Sequence, residues 1–250
     1  MGTLENKINR IFEIFGLEVK RTRTCPSLRT LLRRFFKRHQ VDCVLDVGAN
    51  TGGYAEFLRD EVRYKGMIIS FEPVSEVFRT LQQKVKSDSK WAAFQIALGP
   101  EERRQEINVC KDTSFCSFLK PAHQSETWFA GQNEISCAED VHVRRLDQVF
   151  EELKSKHGFR SPFLKIDTQG YDREVLLGCE SVLRQVVGLQ SEISLLPIYE
   201  KMPGIADLFP LISSLGFDLV GTFPVNLASA GRWIESDCVF VQRNAQESKT

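Results

Sequence analysis

The apolar residues in the first half of the chain fall into short runs and helical spacings that alternate. Short apolar runs are typical of buried strands, and a spacing of three to four residues is typical of helices. The pattern predicts strands at residues 41–47, 67–71 and 91–97, with helices at residues 54–62 and 74–85 between them. Alternating strands and helices form a parallel sheet covered by helices on both faces. The predicted fold class is therefore α/β, with a doubly wound, mostly parallel sheet.

The second half of the chain continues this alternation. Strands are predicted at residues 163–167 and 186–193, a helix at residues 205–215, and a terminal antiparallel hairpin from residues 217–222 and 238–241. Sequential strands of this kind place their carboxyl ends along one edge of the sheet, where ligands bind.

The segment between the two halves, residues 101–145, has no helical period. Strand-like alternation occurs at residues 107–109 and 141–143, with a polar stretch between them. We predict a β-rich insertion or lid beside the ligand crevice. Asp147 is then predicted to cap a helix that runs through Leu153.

Residues 1–40 are predicted to form a helical extension of a main domain at residues 41–250. The apolar faces of its two amphipathic helices are Leu4, Ile8, Ile11, Phe12 and Phe15, and then Leu28, Leu31, Leu32, Phe35 and Phe36. Between Glu18 and Asp42 there are eight basic residues and no acidic one. Residues 20–38 therefore suggest a surface for anionic lipid or nucleic acid. The favoured alternative is that the apolar face packs on the main domain while the arginines are solvated.

The overall composition is that of an ordinary globular protein. The 250 residues are 42% hydrophobic, and 33 basic residues balance 33 acidic ones, so no global field draws the chain to DNA or another polyanion. The seven cysteines include no C-x-x-C pair, which disfavours a disulfide framework and a zinc ribbon. Charges interrupt the first twenty residues, and no long apolar run occurs. A cytoplasmic location is expected.

The most informative stretch is the glycine-rich turn that follows the first predicted strand. It runs from Asp46 through Gly48, Asn50 and Gly52 to Tyr54 and opens a helix. Glycines allow the chain to bend sharply and bring its N–H groups close to a ligand. A dinucleotide site would have a glycine where Asn50 stands, so the turn favours a ligand without a pyrophosphate. The alternative is a purely structural turn.

Glu72 strengthens the cofactor interpretation. It lies twenty residues after Gly52, at the end of the next predicted strand, where such sheets place the carboxylate that accepts ribose hydroxyls. Asp46 is unsuited to a phosphate, but it is suited to accept from an ammonium group or to orient the loop. S-adenosylmethionine combines an ammonium group, a ribose and no phosphate, and it is the predicted cofactor.

A second dense block, at residues 163–172, supplies the candidate catalytic group. Asp167 ends a strand predicted to lie beside the first one, so it is the candidate base or acceptor-orienting group. The equal alternative is that Asp167 caps its own turn through the N–H of Gln169 or Gly170. Asp167, Asp172 and Glu192 are also candidate oxygen ligands for Mg²⁺, although no spacing makes them converge, and a metal is disfavoured.

Six short motifs follow one another along the chain between residues 41 and 242. They are Asp46-Val-Gly-Ala-Asn-x-Gly-x-Tyr54, Phe71-Glu-Pro73, Ala97-Leu-Gly99, Lys165-Ile-Asp-Thr-Gln-Gly-Tyr-Asp172, Glu192 with Pro197-x-Tyr199, and Asp237-x-Val-Phe240. Together they resemble the FkbM-type methyltransferases, and the block at residues 165–172 is the most specific part.

The resemblance implies a class I S-adenosylmethionine fold, with seven strands and the last one antiparallel. It also implies O-methylation of a hydroxyl on a sugar, lipid or small-molecule metabolite. Position by position, it makes Asp46, Gly48, Asn50 and Gly52 the methionine-side loop and Glu72 the ribose ligand. Three further residues of these motifs are predicted to line the cofactor site: Tyr54, Pro73 and Ala97.

Two rival functions stay open at this point. One keeps the cofactor and makes RNA the acceptor through the basic segment at residues 20–38, although the neutral total charge disfavours it. The other is a non-catalytic binding or assembly protein that retains the fold. The sequence carries no signal for the oligomeric state.

Overall fold

The structure is a computed structural model and describes residues 26–228 and 231–247. The first predicted helix, with Leu4, Ile8, Ile11, Phe12 and Phe15, lies outside the described residues. The predicted division of the chain at residue 40, and the role of residues 101–145 as an insertion or lid, stay predictions. No helix of the described part is long and apolar enough to cross a membrane.

A seven-stranded sheet forms the centre of the fold, in the order β3-β2-β1-β7-β8-β10-β9. Its strands are β1 (Cys43–Val47), β2 (Met67–Phe71), β3 (Trp91–Phe94), β7 (Pro162–Ile166), β8 (Gly188–Ser194), β9 (Phe217–Leu227) and β10 (Trp233–Gln242). The pairs from β3 to β8 are parallel, and β10 is antiparallel to both β8 and β9. The predicted fold class, including the antiparallel last strand, is confirmed.

Helices cover both faces of this sheet. They are α1 (Leu28–His39), α2 (Gly53–Phe57, continued by a π-helical turn Leu58–Val62), α3 (Ser75–Val85), α4 (His123–Trp128), α5 (Leu146–His157), α6 (Asp172–Leu177), α7 (Ile205–Ser214) and α8 (Asn244–Glu247). Strands β1 and β7 are buried along their whole length, as expected for central strands between two helical layers.

The core lies in two layers, one on each face of the sheet. One layer contains most of α5 and α6, and the other contains α1 and α2. The apolar face of α1 is buried, because Phe35 and Phe36 each pack edge-on against Phe163 of β7. Burying one such side chain stabilises a fold by about 1.5–3 kcal/mol. The favoured alternative for this helix, packing on the main domain, is therefore what the structure shows.

A smaller sheet stands beside the first, in the order β4-β6-β5. Its strands are β4 (Ala97–Leu98), β5 (Arg103–Cys110) and β6 (Ile135–Arg144), and β5 and β6 pair antiparallel. The prediction that residues 91–97 form one strand was wrong, because β3 ends at Phe94 and Ala97 pairs with Val143 instead.

The root of the small sheet is packed unusually closely. A Cβ at Gly178 would lie 1.9 Å from the carbonyl oxygen of Gly99, so residue 178 can carry no side chain. Arg145 donates to the carbonyl of Pro100 and to the carboxylate of Asp147. The prediction that Asp147 caps α5 was therefore wrong: Arg145 is the N-cap residue, and Asp147 lies in the first turn as its ion-pair partner.

Candidate active site

The glycine-rich turn lies at the carboxyl end of β1. Gly48, Asn50 and Gly52 have φ angles of 77°, 47° and 89°, a region that favours glycine. A Cβ at Gly48 would lie 1.8 Å from the carbonyl oxygen of Asp167. Gly48 therefore lets the ends of β1 and β7 meet, in addition to opening the turn. A Cβ at Gly52 would lie 2.7 Å from the Trp91 ring, so a glycine at this position lets the ring pack against the turn.

Glu72 points into this turn. Its Oε2 accepts from the Asn50 N–H and its Oε1 accepts from the Val74 N–H, each at 2.9 Å. The side chain is buried and lies on a cavity wall. Burial raises the pKa of Glu72 to about 7, although the two N–H groups favour its ionised form. The carboxylate thus holds the turn in place and retains free lone pairs toward the cavity.

The cavity beside Glu72 has a volume of about 280 Å³ and crosses the carboxyl ends of β1, β2 and β7. One part of its lining, here called the glycine-loop end, consists of Gly48, Asn50, Glu72, Pro73 and Ala97. A second part, here called the carboxylate end, consists of Asp167, Glu192 and Glu235. The lining also has apolar side chains, with Phe71, Ile96, Leu98, Ile107, Phe115 and Phe118. Apolar walls with a few placed polar groups are typical of small-molecule sites.

Asp167 is part of a side-chain network. Its Oδ2 accepts from Lys165 Nζ at 3.1 Å, and its Oδ1 accepts from Gln169 Nε2 at 2.9 Å. The same amide donates to Glu192 at 3.2 Å, and the Tyr199 hydroxyl donates to Gln169 Oε1 at 2.8 Å. Gln169 has a φ angle of 53°, a left-handed conformation that brings its side chain between the two carboxylates.

The turn after β7 is capped by a different carboxylate. Asp172 Oδ1 accepts from the N–H and the hydroxyl of Thr168, and its Oδ2 accepts from Ser191. Asp172, not Asp167, therefore performs the capping that was the alternative for Asp167. Asp172 is buried and tied to this turn, so it does not converge with Asp167 and Glu192. Within the described ranges, no group of three acidic, histidine or cysteine side chains fits a metal ion, and Mg²⁺ is not proposed further.

Asp46 lies beneath the loop rather than on the cavity wall. Its side chain has no exposed surface, accepts from Ser70 at 3.1 Å and lies 3.6 Å from Lys165 Nζ. Burial raises its pKa, and Lys165 opposes that shift. These contacts join Asp46 to β2 and β7, and both roles predicted for Asp46 stay predictions.

Tyr54 lies on a groove on the other side of the turn. Three residues that line the cavity also line this groove: Gly48, Asn50 and Asp167. The Tyr54 hydroxyl donates to Gln190 at 2.8 Å, and Lys165 Nζ lies 5.1 Å from the centre of its ring. A cation at this distance from a ring is attracted to its face. Tyr54 therefore holds Lys165 beside the loop.

The segment at residues 113–118 connects the two ends of the cavity. The Thr113 hydroxyl donates to the Asn50 side chain at 3.0 Å, and the Ser117 hydroxyl donates to the Gln169 backbone carbonyl at 2.7 Å.

One of the basic residues of α1 has a partner within the protein: Arg33 donates to the Val62 carbonyl at 3.2 Å.

Sequence reasoning missed several residues of the site. Lys165 and Gln169 stand in the most specific motif, and their positions two residues either side of Asp167 were the available signal. Glu235 and Thr113 come from segments with no chemical signature, so the sequence offered no signal for them.

The family model described as Methyltransferase FkbM domain matches residues 46–219. The chain belongs to the FkbM methyltransferase family. The matched range includes the glycine-rich turn, Glu72, Asp167 and Glu192, and it ends before Glu235. The resemblance drawn from the six motifs is thereby confirmed.

The chain is also similar to several solved structures. The methyltransferase FkbM from Methylobacillus flagellatus KT is 16% identical, with a TM-score of 0.51 over 80% of this chain and 43% of that chain. Magnesium protoporphyrin IX methyltransferase from Synechocystis PCC 6803, solved with bound S-adenosylmethionine, is 8% identical, with a TM-score of 0.44 over 97% and 99% of the two chains. The fibrillarin of Aeropyrum pernix is 11% identical, with a TM-score of 0.45 over 80% and 66%.

The FkbM-family chain thus spans less than half the length of the Methylobacillus protein. At these identities the likeness concerns the fold alone. No curated protein matches the chain in sequence.

Proposed function

We propose that the chain is an S-adenosylmethionine-dependent methyltransferase that methylates a hydroxyl of a sugar, lipid or small-molecule metabolite. The observation that supports this most is the single cavity that joins Glu72 to Asp167 across the ends of β1, β2 and β7. A ribose-binding carboxylate and a candidate proton acceptor then face one ligand space. Family membership supports the methyl transfer, and the choice of a hydroxyl acceptor is part of the proposal.

The groups at the glycine-loop end fit the ribose and the adenine of the cofactor. The Glu72 oxygens already hold backbone N–H groups and keep lone pairs for the two ribose hydroxyls. Phe71, Pro73 and Leu98 offer apolar contacts for an adenine ring. With no basic side chain on the cavity wall among the described residues, the cavity suits a ligand without phosphate.

S-adenosylmethionine, when bound, supplies a methyl group on a positively charged sulfur. The chain then has to align the acceptor hydroxyl and keep water out. Asp167 is the group we assign to accept the hydroxyl proton or to orient the hydroxyl, since its carboxylate lies on the cavity wall, is partly exposed, and is held by Lys165 and Gln169. A cytoplasmic location, which the cysteines favour, completes the proposal.

Isothermal titration with S-adenosylmethionine tests the cofactor assignment. Glu72→Ala should weaken binding about 10- to 100-fold, because hydrogen bonds to a charged acceptor contribute about 1.5–3 kcal/mol. Glu152→Ala, at an exposed position on α5, is the matched control and should bind like the parent. No binding by the parent, or unaltered binding by Glu72→Ala, would remove the enzyme assignment.

The acceptor is to be identified separately. Metabolite and glycan extracts incubated with the chain and a methyl-labelled donor should yield a labelled product in mass spectrometry. Label on a carbon-bound oxygen supports O-methylation, and label on nitrogen or carbon contradicts it.

A further inference from the structure

The cavity wall carries acidic side chains and, among the described residues, no basic one. Glu72 contributes one carboxyl group at the glycine-loop end. Asp167, Glu192 and Glu235 contribute three more at the carboxylate end, where an acceptor has to lie if the cofactor fills the glycine-loop end. No described lysine, arginine or histidine lines this space. An acceptor therefore meets carboxyl groups and no positively charged side chain of the described residues.

A cation close to the carboxylate end, Lys165, is already shared. Lys165 Nζ lies 3.1 Å from Asp167 and 3.6 Å from Asp46, so its charge is divided between two carboxylates. It lines the groove on the other side of the loop and not the cavity. Lys165 therefore opposes only part of the rise in the pKa of Glu192, and it is not among the groups that act on Glu235.

Glu192 and Glu235 have only neutral hydrogen-bond partners among the described residues. Glu235 accepts from Asn226 at 2.8 Å and from Ser194 at 3.4 Å. Glu192 accepts from Gln169 through Oε2, and its Oε1 has no hydrogen-bond partner within the described ranges. That oxygen belongs to a side chain on the cavity wall. It is thus available to a ligand that donates.

Carboxyl groups are crowded here, and Lys165 compensates for them only in part. Burial, with repulsion from Asp167, raises the pKa of Glu192 well above its usual range, and burial raises the pKa of Glu235 to about 7. Crowded carboxylates in a buried site are stabilised by a cation and destabilised further by an anion. The charge pattern thus discriminates between acceptors by the sign of their charge.

We propose that the carboxylate end binds a positively charged group, so that the acceptor is an amine-bearing molecule, such as an amino sugar, and not one that brings a phosphate or carboxylate into the cavity. The inference rests on the proposed function, because it takes the glycine-loop end as the cofactor site. It narrows the acceptor class and disfavours a nucleic-acid backbone inside this cavity.

Two cofactor analogues test this without knowledge of the acceptor. S-adenosylhomocysteine is neutral at sulfur, whereas sinefungin carries an ammonium group where the transferred methyl would stand, directed toward the acceptor. Isothermal titration should show that the parent chain binds sinefungin at least tenfold more tightly than S-adenosylhomocysteine. Glu192→Gln and Glu235→Gln should each reduce this ratio at least threefold, and Glu152→Gln should leave it unchanged.

Each outcome separates the two proposals. If neither analogue binds, the cofactor assignment fails, and this inference fails with it. If both bind the parent equally, or if the ratio is the same in both glutamine variants, the cofactor assignment stands and the preference for positive charge is overturned. The affinity for S-adenosylhomocysteine in each variant reports whether the variant is folded, so a misfolded protein is not mistaken for a lost preference.

Discussion

The two ends of the cavity are built in different ways. At the glycine-loop end, one carboxylate is fixed by two backbone N–H groups, and a side-chain hydrogen bond from Thr113 to Asn50 adds to the backbone turns and apolar side chains. At the carboxylate end, side chains hold other side chains: Gln169 bridges Asp167 and Glu192, and Asn226 holds Glu235. The first end depends on backbone geometry within a short stretch of chain, and the second depends on segments distant in sequence.

This difference teaches which changes each end tolerates. A backbone-built site fails when a turn is distorted, because no alternative rotamer relieves a main-chain clash. A site built from side-chain pairs loses function in steps, because each pair can be removed separately. Four substitutions or conditions, taken from the largest expected effect to the smallest, test this contrast.

Gly48→Ala should have the largest effect. The new Cβ meets the Asp167 carbonyl at 1.8 Å and the residue keeps a φ angle of 77°, so we expect a loss of about 3–5 kcal/mol of unfolding free energy. Gly53→Ala is the control, because no atom lies within 4 Å of its Cβ and alanine favours the helix. Urea denaturation of both variants measures the difference, and equal midpoints would contradict a backbone-built end.

Asp167→Asn should lower kcat about 10²- to 10³-fold, the range of a lost general base. The affinity for S-adenosylmethionine should stay within about threefold, because Glu72 and the loop are untouched. Single-turnover assays and titration measure the two quantities. Losses of the same size in kcat and in cofactor affinity would mark Asp167 as structural and would contradict the division of the cavity into two independent ends.

Tyr199→Phe should have a moderate effect. It removes a hydroxyl that lies 2.8 Å from Gln169 and 3.0 Å from the Phe115 carbonyl, a loss of about 1 kcal/mol that loosens the bridge between Asp167 and Glu192. We expect kcat to fall about fivefold. Tyr64→Phe removes a buried hydroxyl of the same kind away from the cavity and should leave kcat unchanged. If both variants behave alike, the bridge has no role in turnover.

A pH series should give the smallest change. With its pKa raised to about 7, Glu72 is partly protonated at neutral pH and accepts ribose hydroxyls better as it ionises. Affinity for S-adenosylmethionine should rise about threefold from pH 6 to pH 8, and Glu72→Gln should remove that part of the rise. The stability of the unliganded fold should depend on pH in the opposite direction. The contribution of Glu72 to the free energy of unfolding is present below the unfolded pKa of Glu72 and is lost as pH rises through about 7. Calorimetry at each pH checks both trends.

The sequence could predict the glycine-loop end because its parts are local. A strand, a turn with glycines and an acid at the next strand end follow from short windows, and the structure places Glu72 against that turn. Within residues 163–172 the sequence could not separate Asp167 from Asp172, since both carboxylates lie within reach of the same turn. Only the packing of Ser191 against Asp172 decides which of them caps it.

The carboxylate end could not be predicted as a unit. Glu235 reaches the cavity because β10 pairs antiparallel with β8, which places Glu235 opposite Ser194. Tyr199 reaches Gln169 from thirty residues away. No local spacing encodes such long-range contacts. The wrong prediction of a cap at Asp147 has a different, local origin, because Arg145, two residues earlier, pairs with its carboxylate.

The close approach of Gly178 to the carbonyl of Gly99 makes the root of the small sheet rigid. A side chain at Gly178 would meet the backbone of Gly99, so this junction can move little without a clash. The outer part of β6 is exposed, so its side chains are held by few neighbours. The small sheet is thus anchored firmly at its root and loosely at its tip, like a bracket fixed at one end.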